Sequence, residues 1–170
     1  GKVRGWDAVF YVVAQAVGGV TGMLLVAAAL PDVLAHPSVA YVVTVPGAWG
    51  AAAAWAGELV TSAMLMSVVL AVSSRPRLAS FTGLAAGALV ALWITLEAPV
   101  SGTSMNPART AASALPASTW TAFWVYLTAP PLGMLLGAEI HRLAGARVPC
   151  AKLEHGRRGR CIFRCTAGPG

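Results

Sequence analysis

The chain has 170 residues, of which 57% are hydrophobic and only 11% are charged. That composition excludes an ordinary soluble domain and is typical of a protein that crosses a membrane several times. The formal net charge of +6 does not indicate a nucleic-acid-binding protein, because the sequence contains no basic face interleaved with aromatic residues.

Four apolar segments are long enough to cross a bilayer. A spanning helix needs about 20 apolar residues, and the chain offers such segments at residues 8–30, 51–72, 79–98 and 119–143. The sequence therefore predicts an all-α fold, a polytopic membrane helix bundle with four spanning helices and one re-entrant half-helix between the last two.

Two polar residues inside the first two spans need an explanation. Gln15 lies in the first span, where a hydrogen bond to a neighbouring helix is favoured over contact with a permeant molecule. Glu58 lies in the second span and could belong to a proton relay, but relays require chains of such groups. We favour a structural role, in which Glu58 accepts hydrogen bonds from backbone N–H groups of the irregular loop before Asn106 and holds its shape. Glu97 and Glu139 lie near span ends and are predicted to be interfacial.

The re-entrant half-helix is predicted from residues 101–115, which begin SGTSMNPART. Asn is among the best N-caps and Pro is tolerated at the first helical position, so Asn106-Pro107 indicates a helix start. A helix from there to Leu115 rises only about 12 Å, against about 30 Å of hydrocarbon. Such a segment enters and leaves the membrane on one side, and its non-helical backbone must line a wet cavity or be buried in protein.

The start of this half-helix has the chemistry of a pore for neutral molecules. It presents unpaired N–H groups and about half a positive charge, to which Asn106 adds an amide and Arg109 adds five donors and a full charge. Together they favour uncharged, hydrogen-bonding solutes and repel cations and protons. The alternative is a structural Arg109 paired with Glu58 or Glu97, although an arginine in a membrane is functional by default.

The positive charges predict the orientation of the chain. If the N-terminus is cytoplasmic, four spans place the turn at 73–78 and the C-terminus on the same side. All of the 12 lysines and arginines except Arg109 then lie in the cytoplasm, as the positive-inside rule predicts. We expect an integral, multi-pass protein of a plasma or inner membrane with both termini cytoplasmic.

These segments resemble one known family. Residues 101–109 resemble the second Asn-Pro-Ala loop of the aquaporins (major intrinsic proteins), and residues 11–19, 56–60 and 123–133 resemble the family's third, fourth and sixth helices. The resemblance implies a partial aquaporin-like transmembrane domain of inverted repeats over residues 1–145. It also implies a passive channel for water or small uncharged solutes, no cofactor, and a homo-oligomer, usually a tetramer.

The resemblance also assigns positions in the pore. At Ile94 water-strict members carry histidine, and at Thr110 glycerol-type members carry aspartate. Loss of the histidine widens the constriction, so the substrate is open between water and small neutral solutes. The residues that the resemblance places in the pore and its filter are Ile94, Thr103, Asn106, Pro107, Ala108 and Arg109.

The chain departs from the family in its length. Family members have six spans and two Asn-Pro-Ala loops, whereas this chain has four spans and one Asn-Pro pair, at 106–107. We expect it to be part of a longer protein and not competent as a channel alone. Two alternatives are an ion- or proton-coupled transporter that uses Glu58, and a partial membrane protein that acts through its tail. No enzyme is expected, because the spans contain no metal triad or nucleophile–base pair.

The tail at residues 146–170 is basic and is predicted to be cytoplasmic. It contains Cys150, His155, Cys161 and Cys165, and thiolate and imidazole are preferred ligands of zinc and other soft metals. Their spacing fits no standard zinc finger, so they are weak candidates and reduced free thiols are the favoured interpretation.

Overall fold

A computed structural model of the protein describes residues 3–145. The predicted tail at 146–170 lies outside the described residues, and so do its candidate metal ligands Cys150, His155, Cys161 and Cys165. Over the described range, every regular element is a helix and there is no strand.

Four of the helices are long and apolar enough to cross a membrane. This confirms the prediction of an all-α bundle with four spans. Two shorter α-helices and two single turns of 3₁₀ helix, at Ala40–Val42 and Ala79–Phe81, lie between them. In chain order, the α-helices are α1 (Gly5–Ala29), α2 (Pro31–Ala35), α3 (Gly50–Ser73), α4 (Thr82–Ser101), α5 (Pro107–Ala117) and α6 (Phe123–Leu143).

Proline does not end these helices where the sequence suggested. The third span was expected to stop at residue 98, but α4 continues through Pro99 to Ser101. Gly102 ends the helix instead, with a left-handed φ of 79° and an N–H that donates to Ala98 O at 2.8 Å. A glycine adopts this conformation without steric cost. In the same way, α5 continues through Pro116, since membrane bundles accept internal prolines.

Helix α3 is the centre of the packed part, in contact with α4 and α6. Two glycines of α6 allow a close approach, because a Cβ on Gly133 would collide with the backbone oxygen of Leu59, and one on Gly137 with that of Ala63. Small residues at such contacts are the usual way to bring membrane helices together. Helices α3 and α6 pack together and both contact the segment around the end of α4, through Glu58 and Tyr126.

Helix α1 is arranged differently. It packs against α5 and the short α2, and none of its residues is buried. Gly19 of α1 lies against α5, since a Cβ there would be 3.4 Å from the Cβ of Ala112. The half-helix α5 therefore has α1 on one side, while the segment before α5 is held by α3 and α4.

Candidate functional site

The half-helix begins at the predicted residue. Asn106 has an extended backbone, and its Oδ1 accepts a hydrogen bond from the N–H of Ala108 at 2.9 Å, with Pro107 at the first helical position. Helix α5 has 11 residues, so it rises about 16 Å and is too short to cross about 30 Å of hydrocarbon. The segment at 102–106 is the irregular backbone that leads into it.

A buried carboxylate lies behind that irregular segment. Glu58 of α3 is 0% exposed. Its Oε1 accepts the N–H of Ser104 at 2.6 Å, and its Oε2 accepts the N–H of Met105 at 2.7 Å. Backbone groups at membrane depth cost several kcal/mol each when they lack a partner. Glu58 thus supplies the acceptors that a regular helix would have supplied.

The irregular segment is strained, and hydrogen bonds oppose the strain. Thr103 and Met105 have left-handed φ angles of 51° and 52°, which cost about 1–3 kcal/mol each in residues other than glycine. The N–H of Thr103 donates to Ser101 Oγ at 3.0 Å, and that of Met105 donates to Glu58. Hydrogen bonds to charged groups contribute about 1.5–3 kcal/mol, which is enough to hold such a conformation.

A second carboxyl group lies in the same cluster, and the sequence did not place it there. Glu97 was predicted to be interfacial, and that prediction is wrong, because Glu97 is only 8% exposed. Its Oε2 lies 2.8 Å from Ser101 Oγ and accepts a hydrogen bond from Thr103 Oγ1 at 2.8 Å. The error arose from the helix end: since α4 runs on to Ser101, Glu97 lies one turn inside it. The spacing of four residues between Glu97 and Ser101 is the signal that could have revealed the contact.

The other glutamate in that prediction, Glu139 of α6, is exposed. It forms an ion pair with Arg142 on the next turn of the same helix. Exposed pairs of this kind contribute little to stability. The two glutamates near span ends therefore have different environments.

Thr44 and Gly47, in the segment before α3, form hydrogen bonds to α5 and to the end of α4. Thr110 of α5 is buried, and its Oγ1 lies 2.8 Å from Thr44 Oγ1 and 2.5 Å from Ser104 Oγ. The N–H of Gly47 donates to Val100 O at 2.8 Å. The hydroxyl of Thr110 is thus occupied by protein contacts, so it positions α5 and does not face a solute.

Two open cavities meet at the start of α5. One of about 530 Å³ lies between α1 and α5 and is lined by Gln15, Asn106, Ala108 and Arg109, among others. A second, also of about 530 Å³, reaches α6 and shares Gln15, Asn106 and Ala108 while adding Pro107. Asn106, Ala108 and Gln15 thus line both cavities, whereas Arg109 lines only the first.

The two other expected filter residues lie apart from these cavities. Ile94 is 53% exposed on α4, and Thr103 is buried with its hydroxyl bound to Glu97. Neither side chain lines either of the two cavities. Of the residues expected in the pore, the structure therefore brings Asn106, Pro107, Ala108 and Arg109 to these cavities.

Arg109 and Gln15 keep free hydrogen-bonding capacity. Among the described residues Arg109 forms no ion pair, and its Nη1 is buried without a partner. Pairing with Glu58 or Glu97 is not what the structure contains, since both carboxyl groups bind the irregular segment. Gln15 is exposed to the cavities, and within residues 3–145 it forms no interhelical hydrogen bond.

The comparison with known families agrees with this geometry. The family model described as Major intrinsic protein matches residues 1–141. The chain belongs to the major intrinsic protein family. A maize (Zea mays) relative, Aquaporin NIP3-1, is 39% identical over 139 residues, which cover 81% of this chain and 44% of the maize protein.

A bacterial relative is more distant. Aquaporin Z of Photorhabdus laumondii subsp. laumondii is 28% identical over 122 residues, which cover 65% of this chain and 51% of that protein. This major intrinsic protein chain thus spans about half the length of the curated relatives that it matches. The resemblance inferred from the Asn-Pro-Ala-Arg segment is confirmed.

Proposed function

We propose that this chain forms part of a passive transmembrane channel for water and small uncharged solutes, driven only by their gradients. The observation that carries the proposal is the junction of two open cavities at Asn106, where a capped half-helix begins. Close by, a guanidinium nitrogen of Arg109 has no hydrogen-bond partner in the part of the chain that the structure describes. Membership in the major intrinsic protein family and similarity to two aquaporins support a channel over an enzyme.

In this proposal the start of the half-helix disfavours cations and orients the neutral solute. Its N-terminal dipole disfavours cations and hydronium, and the Asn106 amide donates to the oxygen of a passing solute. Arg109, one turn along the half-helix, adds fixed donors and a full positive charge. Pro107 and Ala108 complete the narrow segment, and Gln15 faces the same passage from α1.

The substrate class follows from the remaining filter positions. Ile94 occupies the sequence position where water-strict members carry histidine, so a side chain at this position offers no hydrogen bond to a solute. Thr110 is engaged with Thr44 and Ser104, and Thr103 with Glu97. Few polar side chains therefore oppose Arg109, which supports small neutral solutes in addition to water.

The orientation and assembly belong to the same proposal. The distribution of lysine and arginine supports cytoplasmic termini in a plasma or inner membrane, and the family resemblance supports a homo-oligomer, usually a tetramer. Since the chain spans about half the length of its relatives, and both cavities are open, we expect little selective permeation from these 170 residues alone.

The test is osmotic and solute flux in proteoliposomes that contain the product of the complete reading frame. We expect water flux above that of empty vesicles, no dependence on a proton or sodium gradient, and a loss of discrimination against cations in Arg109→Val. Matched vesicles with Arg142→Val control for the removal of a positive charge elsewhere, since Arg142 is exposed. Absence of any flux, or flux that Arg109→Val leaves unchanged in rate and selectivity, refutes the proposal.

The two alternatives have less support. A proton-coupled transporter would need Glu58 to face the permeant, but both of its oxygens accept backbone N–H groups of the irregular segment. Uptake that requires a proton gradient and is abolished by Glu58→Gln would favour it. A role through the tail depends on residues 146–170, and deletion of that tail with flux unchanged would leave the channel proposal intact.

A further inference from the structure

In the cluster behind the irregular segment, the hydroxyl group of Ser101 has more close oxygen neighbours than it has protons to donate. Ser101 Oγ lies 2.7 Å from Glu58 Oε1 and 2.8 Å from Glu97 Oε2. The N–H of Thr103 also donates to this hydroxyl, at 3.0 Å. Three close partners thus surround a group that has one proton to give and two lone pairs.

The number of protons follows from these contacts. The N–H of Thr103 occupies one lone pair of Ser101 Oγ, and the hydroxyl proton is available to one carboxyl group only. If Glu58 and Glu97 were both ionised, one O···O contact below 3 Å would have no proton between the atoms, with lone pairs facing each other. One carboxyl group must therefore donate a proton to Ser101, while Ser101 donates its own to the other.

The surroundings of the two groups decide which carboxyl carries the proton. Glu58 accepts two backbone N–H groups, one on each oxygen, and such bonds stabilise a carboxylate. Glu97 accepts one hydroxyl, that of Thr103 on Oε2, and its Oε1 is buried without a partner among the described residues. An unpaired buried oxygen costs far less in a neutral acid than in an ion, so the proton belongs on Glu97.

We propose that Glu97 is a positioning residue that carries a proton, donates it to Ser101 Oγ and so holds Thr103 and the irregular segment in place, which makes permeation sensitive to alkaline pH. The proposal rests on the channel function proposed above and adds a regulation of the same site. When the proton is lost, two carboxylates share one hydroxyl, and their repulsion acts directly on the segment that leads into α5.

The groups around Glu97 are consistent with one shared proton. From α3, Glu58 faces it through Ser101, and from α6, Tyr126 donates its hydroxyl to Ser101 O at 2.6 Å. The positive charge of Arg109 on α5 interacts with Glu58 and Tyr126. In the described part of the chain no ion pair joins Arg109 to either carboxyl group. Gly57 of α3 leaves room for the neutral oxygen, since a Cβ there would collide with Glu97 Oε1.

The first test is spectroscopic and needs no flux. Infrared spectra of the purified full-length protein in lipid should contain the C=O stretch of a buried protonated carboxyl group at neutral pH. We expect Glu97→Gln to remove this band and Glu139→Gln, at an exposed position on α6, to retain it. A band that is absent at neutral pH, or that survives in Glu97→Gln, overturns the proposal whether or not the protein conducts.

The second test uses the pH profile of flux in proteoliposomes. We expect permeability to fall several-fold from neutral to alkaline pH. In Glu97→Gln the amide donates to Ser101 as the acid does but cannot titrate, so the neutral-pH permeability should persist and the profile should be flat. Glu97→Ala should lower permeability at every pH. A wild-type profile without the alkaline fall, or one that is the same in Glu97→Gln, refutes the regulatory role, and an inactive protein at all pH values instead counts against the channel function.

Discussion

The segment that leads into α5 has two sides, which differ in whether their polar groups are hydrogen-bonded within the protein. On the anchored side, defined by Glu58, Glu97, Ser101 and Tyr126, the groups are buried and all but one carboxyl oxygen have protein partners. On the cavity side, defined by Gln15, Asn106 and Arg109, the side chains line open space. One short segment thus combines a hydrogen-bonded support on one side with side chains that line a cavity on the other.

The difference has a physical cause in the membrane. Irregular backbone in lipid requires partners for its N–H and C=O groups, and the anchored side supplies them. The proposed binding of a solute requires groups that are not already paired within the protein, and Arg109 Nη1 has no partner within residues 3–145. Substitutions on the anchored side should therefore change stability most, and those on the cavity side should change selectivity.

The largest effect on stability is expected from Glu58→Ala. The change removes the acceptor of the Ser104 and Met105 N–H groups and a partner of Ser101, at a cost of about 1–3 kcal/mol for each unpaired donor. Chemical unfolding in detergent micelles measures the loss. Glu139→Ala, at an exposed position, is the control and should be near neutral; equal effects of the two variants would remove the distinction between the sides.

A smaller loss is expected from Tyr126→Phe. The ring stays buried, but its hydroxyl no longer donates to Ser101 O, so the free energy of unfolding should fall by about 1–2 kcal/mol. The same unfolding measurement applies. Tyr41→Phe is a suitable control, since the structure gives Tyr41 no hydrogen bond from its hydroxyl within residues 3–145. A neutral Tyr126→Phe would mean that this bond does not anchor the end of α4.

Asn106→Ala tests the boundary between the two sides. Loss of the N-cap bond to Ala108 should lower stability by about 1 kcal/mol, and removal of the amide from the cavity should also reduce flux in proteoliposomes. Asn106→Asp keeps a capping oxygen and should therefore be about as stable as the wild type, but it replaces the amide donor with a negative charge. If Asn106→Asp conducted as the wild type does, the amide would have no role in permeation.

The smallest stability change is expected from Gln15→Leu. Its side chain faces the cavities and has no partner within the described residues, so the free energy of unfolding should stay within about 0.5 kcal/mol of wild type. Flux of water and a small neutral solute, measured in parallel, should nevertheless change. A clear loss of stability would reveal an interhelical hydrogen bond after all and would place Gln15 with the anchored side.

Much of the fold could be predicted from local patterns. Long apolar segments identified the four spans, because a chain in lipid must satisfy its own backbone hydrogen bonds and a helix of about 20 residues does so. The Asn106-Pro107 pair identified the half-helix start for an equally local reason, since both residues act on the N–H groups within the first turn. The ends of α4 and α5 were less accurate, because prolines near a helix end do not necessarily stop it.

The positions of single polar side chains required the packed structure. Glu97 was expected to be interfacial and Gln15 to bond a neighbouring helix, yet Glu97 is buried beside Ser101 and Gln15 faces open space. Helix register and the approach of α3 to α4 decide such contacts, and neither is encoded in nearby residues.

By itself, the sequence determined that this is a helical membrane protein with a capped half-helix and one arginine among apolar segments, because length, hydropathy and capping act over one or two turns. The tertiary structure alone decided that Glu58 and Glu97 meet through one serine hydroxyl and that Arg109 forms no ion pair with any residue of the described range 3–145. Those outcomes depend on which faces of separate helices come within 3 Å of each other, and that distance is set by the packing of the whole bundle.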